Sequence, residues 1–140
     1  MPDMTTREKQ IALIARYSII EDAQERLAAI VSRGRKWPAP AETEKTDAHR
    51  VTGCVSQVWL VGAVKNARCH FRMAADSPLV QGLSALLCEL YDGEPADEIA
   101  AVEPELFEAL GLARQLSPTR LNGLASVRRT ICEFAAAHRA

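Results

Sequence analysis

The sequence predicts an α+β fold: a small antiparallel sheet of about three strands with helices packed on one face. Three observations carry this. Apolar residues recur at helical spacing near both ends of the chain. Between them VSQVWLVGAV is rich in β-branched and aromatic residues, and RCHFRMA alternates after a short turn. Ser77-Pro78 and Ser117-Pro118 are helix starts, a polar cap followed by proline at the first helical position. At 140 residues the chain, 1–140, reads as one domain, long enough to bury a single core.

In chain order, Ile11, Leu13, Ile14 and Tyr17 predict a helix over 6–17. Ile20, Ala23, Leu27, Ile30 and Val31 predict a second over about 19–33, with Gly34 at its stop. Residues 34–50, with two prolines and many charges, read as a loop, in which Trp37 is expected to anchor on the core. Strand character begins near Val51. Both faces of that strand are apolar, so it is expected to be central or covered. KNA (65–67) reads as the hairpin turn. On the return strand Cys69, Phe71 and Met73 face one way, and Arg68, His70 and Arg72 the other. A helix from Ser77-Pro78 buries Leu79, Leu83, Leu86, Leu87 and Leu90 and stops near Asp92-Gly93. Short helices are expected over 95–101 and 104–110, and a last one from Ser117-Pro118 to about His138.

Lys and Arg number 17 against 18 Asp and Glu, a net charge of −1 that gives no reason to expect nucleic acid or an anionic membrane as partner. No apolar run approaches the roughly 20 residues of a membrane span. The polar start MPDMTTREKQ lacks the apolar core of a signal peptide, so a reducing cytoplasm is the expected location.

The four cysteines, Cys54, Cys69, Cys88 and Cys132, are then expected as thiols, and no two form a CxxC pair. Cys69, Cys88 and Cys132 lie on apolar strand or helix stripes and are expected to pack in the core. Cys54 follows Gly53, which permits a sharp turn, and precedes the first strand residue; a thiol there can meet another molecule. His49, His70 and His138 are expected to face solvent, so no base stands ready for a Cys–His nucleophile. The residues alone leave packing and reactivity of Cys54 both open. Neither a glycine-rich phosphate loop nor a His-x-x-x-His metal pair is present.

VTGCVSQVWL (51–60) resembles the signature of the SufE family of sulfur acceptors. ADSPLVQGL (75–83), LFEALGLARQL (106–116) and LSPTRLNGL (116–124) resemble the family's other segments, in the same order, so the likeness runs from about Lys9 to Phe134. The resemblance implies a fold shared with IscU-type scaffolds and a place beside a cysteine desulfurase of the SufS or CsdA kind. That enzyme carries pyridoxal phosphate; the acceptor is expected to need no cofactor or metal of its own and not to be an enzyme. Cys54 takes the acceptor role, receiving persulfide sulfur, stimulating the desulfurase and passing the sulfur on toward an iron–sulfur scaffold. Gly53, Val55, Ser56, Arg120 and Asn122 are the loop and partner-contact candidates. A cation such as Arg120 or a group of the desulfurase is expected to favour the thiolate, and Val55 is a candidate apolar anchor for a loop, 51–56, that shelters the thiol at rest.

Two rivals stand against this reading. An IscU-type cluster scaffold needs several ligating cysteines at one end of the fold, where Cys69, Cys88 and Cys132 look buried. A stand-alone cysteine hydrolase or thiol oxidoreductase needs a base or a resolving cysteine.

Overall fold

Polar caps start the helices where the chain offers them. The computed structural model describes residues 4–139. Thr5 and Glu8 form a reciprocal capping box that opens α1 (Thr6–Ser18), and Asp22 accepts from Glu25 N to open α2 (Ala23–Gly34). Two short 3-10 turns follow, Glu42–Glu44 and Asp47–His49, before the hairpin β1 (Val58–Lys65) and β2 (Arg68–Ala75). Ser77 caps α3 (Pro78–Tyr91). Three short helices, α4 (Ala96–Ala101), α5 (Leu106–Ala109) and α6 (Leu112–Gln115), lead to α7 (Pro118–Ala137), capped by Ser117.

The α+β architecture is as expected, but among the described residues the sheet has two strands where about three were expected. The reason lies at its edges. Loops and side chains satisfy the outer edge of β2 without a third strand: Cys69 exchanges backbone bonds with Gly93 and Glu94, Asp92 Oδ1 accepts from Phe71 N, Pro38 O accepts from Met73 N, and Trp37 Nε1 donates to Phe71 O at 3.1 Å. Trp37 is thus the loop anchor expected of it. Beyond β1, among the described residues, only a bridge between Arg50 and Trp59 remains. Extended structure therefore begins at Val58, seven residues after Val51.

The hairpin pairs Val58 with Ala75 through Lys65 with Arg68, and Asn66 and Ala67 both take positive φ at the turn. One face, with Val58, Leu60, Phe71 and Met73, is buried against α3 and α7. Gly62 sits on that face because a side chain there would stand 2.6 Å from the Phe134 ring; Phe134 meets Phe71 edge-on, centroids 5.6 Å apart. The other face is covered by the 3-10 segment, where Glu44 takes both arms of the Arg72 guanidinium and Lys45 lies over the Trp59 ring.

α3 is the spine of the core, with nine buried residues from Gly82 to Tyr91. Gly34 does more than stop α2: a Cβ on it would lie 2.4 Å from Gly82 Cα, so the two glycines set how closely α2 and α3 cross. α2 buries only Ile30 and Gly34, with Ala23 left exposed. On α1, Leu13 and Tyr17 are buried whereas Ile11 is exposed. Side-chain amides fasten the layers. Gln81 accepts from Ala75 N and donates to Gly34 O, and Gln10 bridges the backbones of Glu103 and Glu105. No described helix is long and apolar enough to cross a membrane.

Candidate functional site

Residues 52–57 leave the core between two fixed points. Val51 is buried, and its N–H bonds to Val58 O at 2.8 Å. At the far end Gln57 N donates to Asp76 Oδ1, and Asp76 N to Gln57 O. Gly53 makes the turn at φ +89°, a conformation that disfavours any side chain. A Cβ there would also stand 2.5 Å from Ser126 Oγ. The turn so formed carries Cys54 over α7.

The Cys54 thiol is half-buried and donates to Gly123 O at 3.2 Å. It opens on a hollow of about 210 Å³ lined by Cys54, Val80, Thr119, Arg120, Gly123 and Leu124. Burial pushes the thiol pKa up from its ordinary value, and the charge of Arg129 pulls it down by less. At rest the sulfur is therefore a thiol with its proton engaged. The expected shelter exists in part: the thiol is half-buried, in a hollow lined by apolar Val80 and Leu124 and by the cationic Arg120.

Each candidate has a distinct position. Ser56 and Arg120 line the hollow, Arg120 from the first turn of α7, where its N–H bonds to the Ser117 cap. Asn122 is exposed and off the hollow; its carbonyl accepts from Ser126 Oγ at 3.1 Å. Val55 borders the hollow but is 83% exposed, which leaves it too little buried surface to anchor the loop.

Two cations flank Cys54: Arg120 lines the hollow beside it, and Arg129 reaches the turn that carries it. Arg129 Nη2 donates to Thr52 O at 3.3 Å, and its Nε lies 3.6 Å from Glu133. Gly123, Ser126 and Arg129 were missed at the sequence level. Their signal was available, since steps of three in a helix place all three on one face of α7, the face the loop covers.

The other thiols divide. Cys69 and Cys88 are core residues, and burial drives the Cys88 thiol pKa far up. Cys132 departs from expectation: α7 turns it half out of the core, into a groove of about 560 Å³ with Leu87, Phe107 and Arg128. That groove is larger than the hollow, yet Cys54 is not in it. Among the described residues no group of three or more His, Cys, Asp and Glu stands placed to hold a metal ion. The histidines are partly engaged: His49 and His138 bond to backbone carbonyls, and His70 lies 3.6 Å from Asp92.

Residues 11–135 match the family described as SufE, Fe-S metabolism associated domain. A SufE-like protein of Rhizobium etli is 37% identical over 128 residues, covering 88% of this chain and 86% of that protein. The sulfur acceptor protein CsdE of Escherichia coli is 33% identical over 110 residues, covering 77% of this chain and 75% of that one. The solution structure of a hypothetical protein from Thermus thermophilus superposes with a TM-score of 0.77 over 93% of this chain and 95% of that one. At 19% identity it shares the fold.

Proposed function

The chain belongs to the SufE family, and from that premise we propose that it is an accessory sulfur-transfer protein whose Cys54 accepts persulfide sulfur from a cysteine desulfurase. One observation carries the assignment of Cys54: of the four thiols it alone sits on an exposed turn, half-buried at the mouth of a hollow with a cationic rim. Cys69 and Cys88 are out of reach of any partner.

The step is a thiol–disulfide type exchange. The Cys54 thiolate attacks the outer sulfur of the partner's R–S–S–H; a new S–S bond forms as the old one breaks. Cys54–S–S–H results, and the partner's thiolate leaves with the electron pair. Nothing is oxidised or reduced overall. The hollow beside Sγ gives the added sulfur a place away from bulk water. The pyridoxal phosphate of the reaction belongs to the desulfurase, and the loaded sulfur then passes toward iron–sulfur cluster assembly. Thiols that must stay reduced suit a cytoplasmic setting.

The test is cysteine turnover by a desulfurase with and without this protein. Wild type should raise turnover and carry the mass of one added sulfur on the Cys54 peptide. Cys54→Ser, with a hydroxyl far less nucleophilic toward sulfur, should fold and fail on both counts. Full stimulation by the serine variant would overturn the assignment.

A further inference from the structure

Among the described residues Arg129 is the cation bonded to the loop backbone, and its Nη2 would stand 3.4 Å from a Cβ placed on Gly53, the residue before Cys54. It is half-exposed, two turns along α7 from Gly123, and its Nη2 reaches Thr52 O at 3.3 Å. We propose that Arg129 is a positioning residue for sulfur acceptance, holding the Thr52–Gly53 turn at rest and stabilising the Cys54 thiolate once the proton leaves. The proposal rests on the acceptor reading of Cys54.

The physical argument starts from the resting contact. Sγ–H donates to Gly123 O. A thiolate has no proton to donate, and its charge is repelled by the carbonyl dipole. Ionisation and departure from Gly123 are therefore one event. The charged sulfur then needs a donor, and the backbone beside it is already fastened to a guanidinium with five N–H groups. The other charged groups about the loop are Arg120 on the hollow's rim, Glu133 paired with Arg129, and Asp76, which is occupied with Gln57. Of the two arginines, Arg129 is the one bonded to the turn itself.

The experiment is alkylation of Cys54 by iodoacetamide across pH, read on the Cys54 peptide, in wild type, Arg129→Gln and Arg129→Lys. Arg129→Gln should move the midpoint up by about one unit, a roughly tenfold slower reaction at pH below both midpoints. Arg129→Lys keeps the charge and should restore most of that rate. A purely structural arginine would leave the midpoint in place. Unchanged midpoints in Arg129→Gln, or equal shifts in both variants, overturn the proposal. Cys54→Ser in a parallel sulfur-transfer assay separates the two claims. If it still accepts sulfur, the acceptor reading fails. If it fails while the Arg129→Gln midpoint stays put, only the role of Arg129 is lost.

Discussion

Cys54 Sγ lies 3.2 Å from the carbonyl oxygen of Gly123, and a Cβ added at Gly123 would stand 3.6 Å from the same sulfur. The helix thus offers the thiol a hydrogen-bond acceptor and an open side at one position. Gly123 lies in α7, where glycine costs about 0.5–1 kcal/mol relative to alanine. Gly123→Ala should therefore raise stability by about that amount, since 3.6 Å is ordinary contact. Its methyl should also cover the sulfur and slow alkylation of Cys54. A rise in Tm with unchanged alkylation would mean that the thiol reacts only from a loop already swung clear.

Gly53 is held by two constraints, and a pair of variants separates them. Gly53→Ala meets Ser126 Oγ at 2.5 Å and must also take φ +89°, which costs about 1–2 kcal/mol for an L-residue. The single variant should weaken the closed loop and reduce sulfur acceptance. Adding Ser126→Ala removes the clash but not the backbone strain, so the double variant should recover part of the loss. Complete recovery would show that the strain is immaterial.

The remaining thiols should report packing. Cys88 is fully buried, so Cys88→Ala should cost on the order of 1 kcal/mol. Cys132 faces its groove on one side, and Cys132→Ala should cost less. Both variants should accept sulfur at the wild-type rate. A folded but inactive Cys132→Ala would call for a second thiol in the mechanism.

Local chemistry decided which parts of this molecule were legible in the sequence. Ser77-Pro78 and Ser117-Pro118 start helices through bonds that span three residues, and the Cys69–Phe71–Met73 alternation needs only a period of two. Both were readable. Gly53 was readable too, because a turn ahead of a strand favours positive φ. Apolar residues on both faces of β1 left it central or covered; it is covered, by Glu44 and Lys45 of a charged loop, and Trp37 closes the edge of β2 where a third strand was expected. Val55, Arg129 and Cys132 were misjudged or missed for one reason: their exposure depends on how the 52–57 turn and α7 meet, a tertiary fact with no local signature.

Glu44 makes the hairpin's outer face acid-sensitive. Arg72 and the Ala41 N–H hold its carboxyl down, from 4.5 to about 2. A depressed carboxylate pKa gives stability that is present above the unfolded value and lost as pH falls through the folded one. The Glu44 contribution should thus be intact above about pH 4.5 and fade between there and pH 2. Both groups are partly exposed, so the effect is modest and salt should screen it. Melting curves of wild type and Glu44→Gln should differ at neutral pH and converge toward pH 2. A gap independent of pH would assign the difference to packing.

Docking should release the loop between its two fixed points and nowhere else. Val51 is pinned to Val58, and Gln57 to Asp76, so residues 52–56 are the stretch whose contacts with α7 can break without unpairing the sheet. Those contacts are few: the thiol on Gly123, Thr52 O on Arg129, and Gly53 packed on Ser126. Each is worth about 1 kcal/mol, so a partner can displace all of them at modest cost. Val55, already exposed, is the apolar side chain of the loop that docking on a desulfurase, as proposed, should cover. Amide exchange over 52–56 should change when the desulfurase is added, while 58–63, held in the ladder, should not. Val55→Asp should weaken binding with little change in Tm, because the side chain is mostly exposed in the free protein. An unaltered affinity would move the docking surface away from the loop tip and leave the hollow's rim, at Arg120, as the face the partner reads.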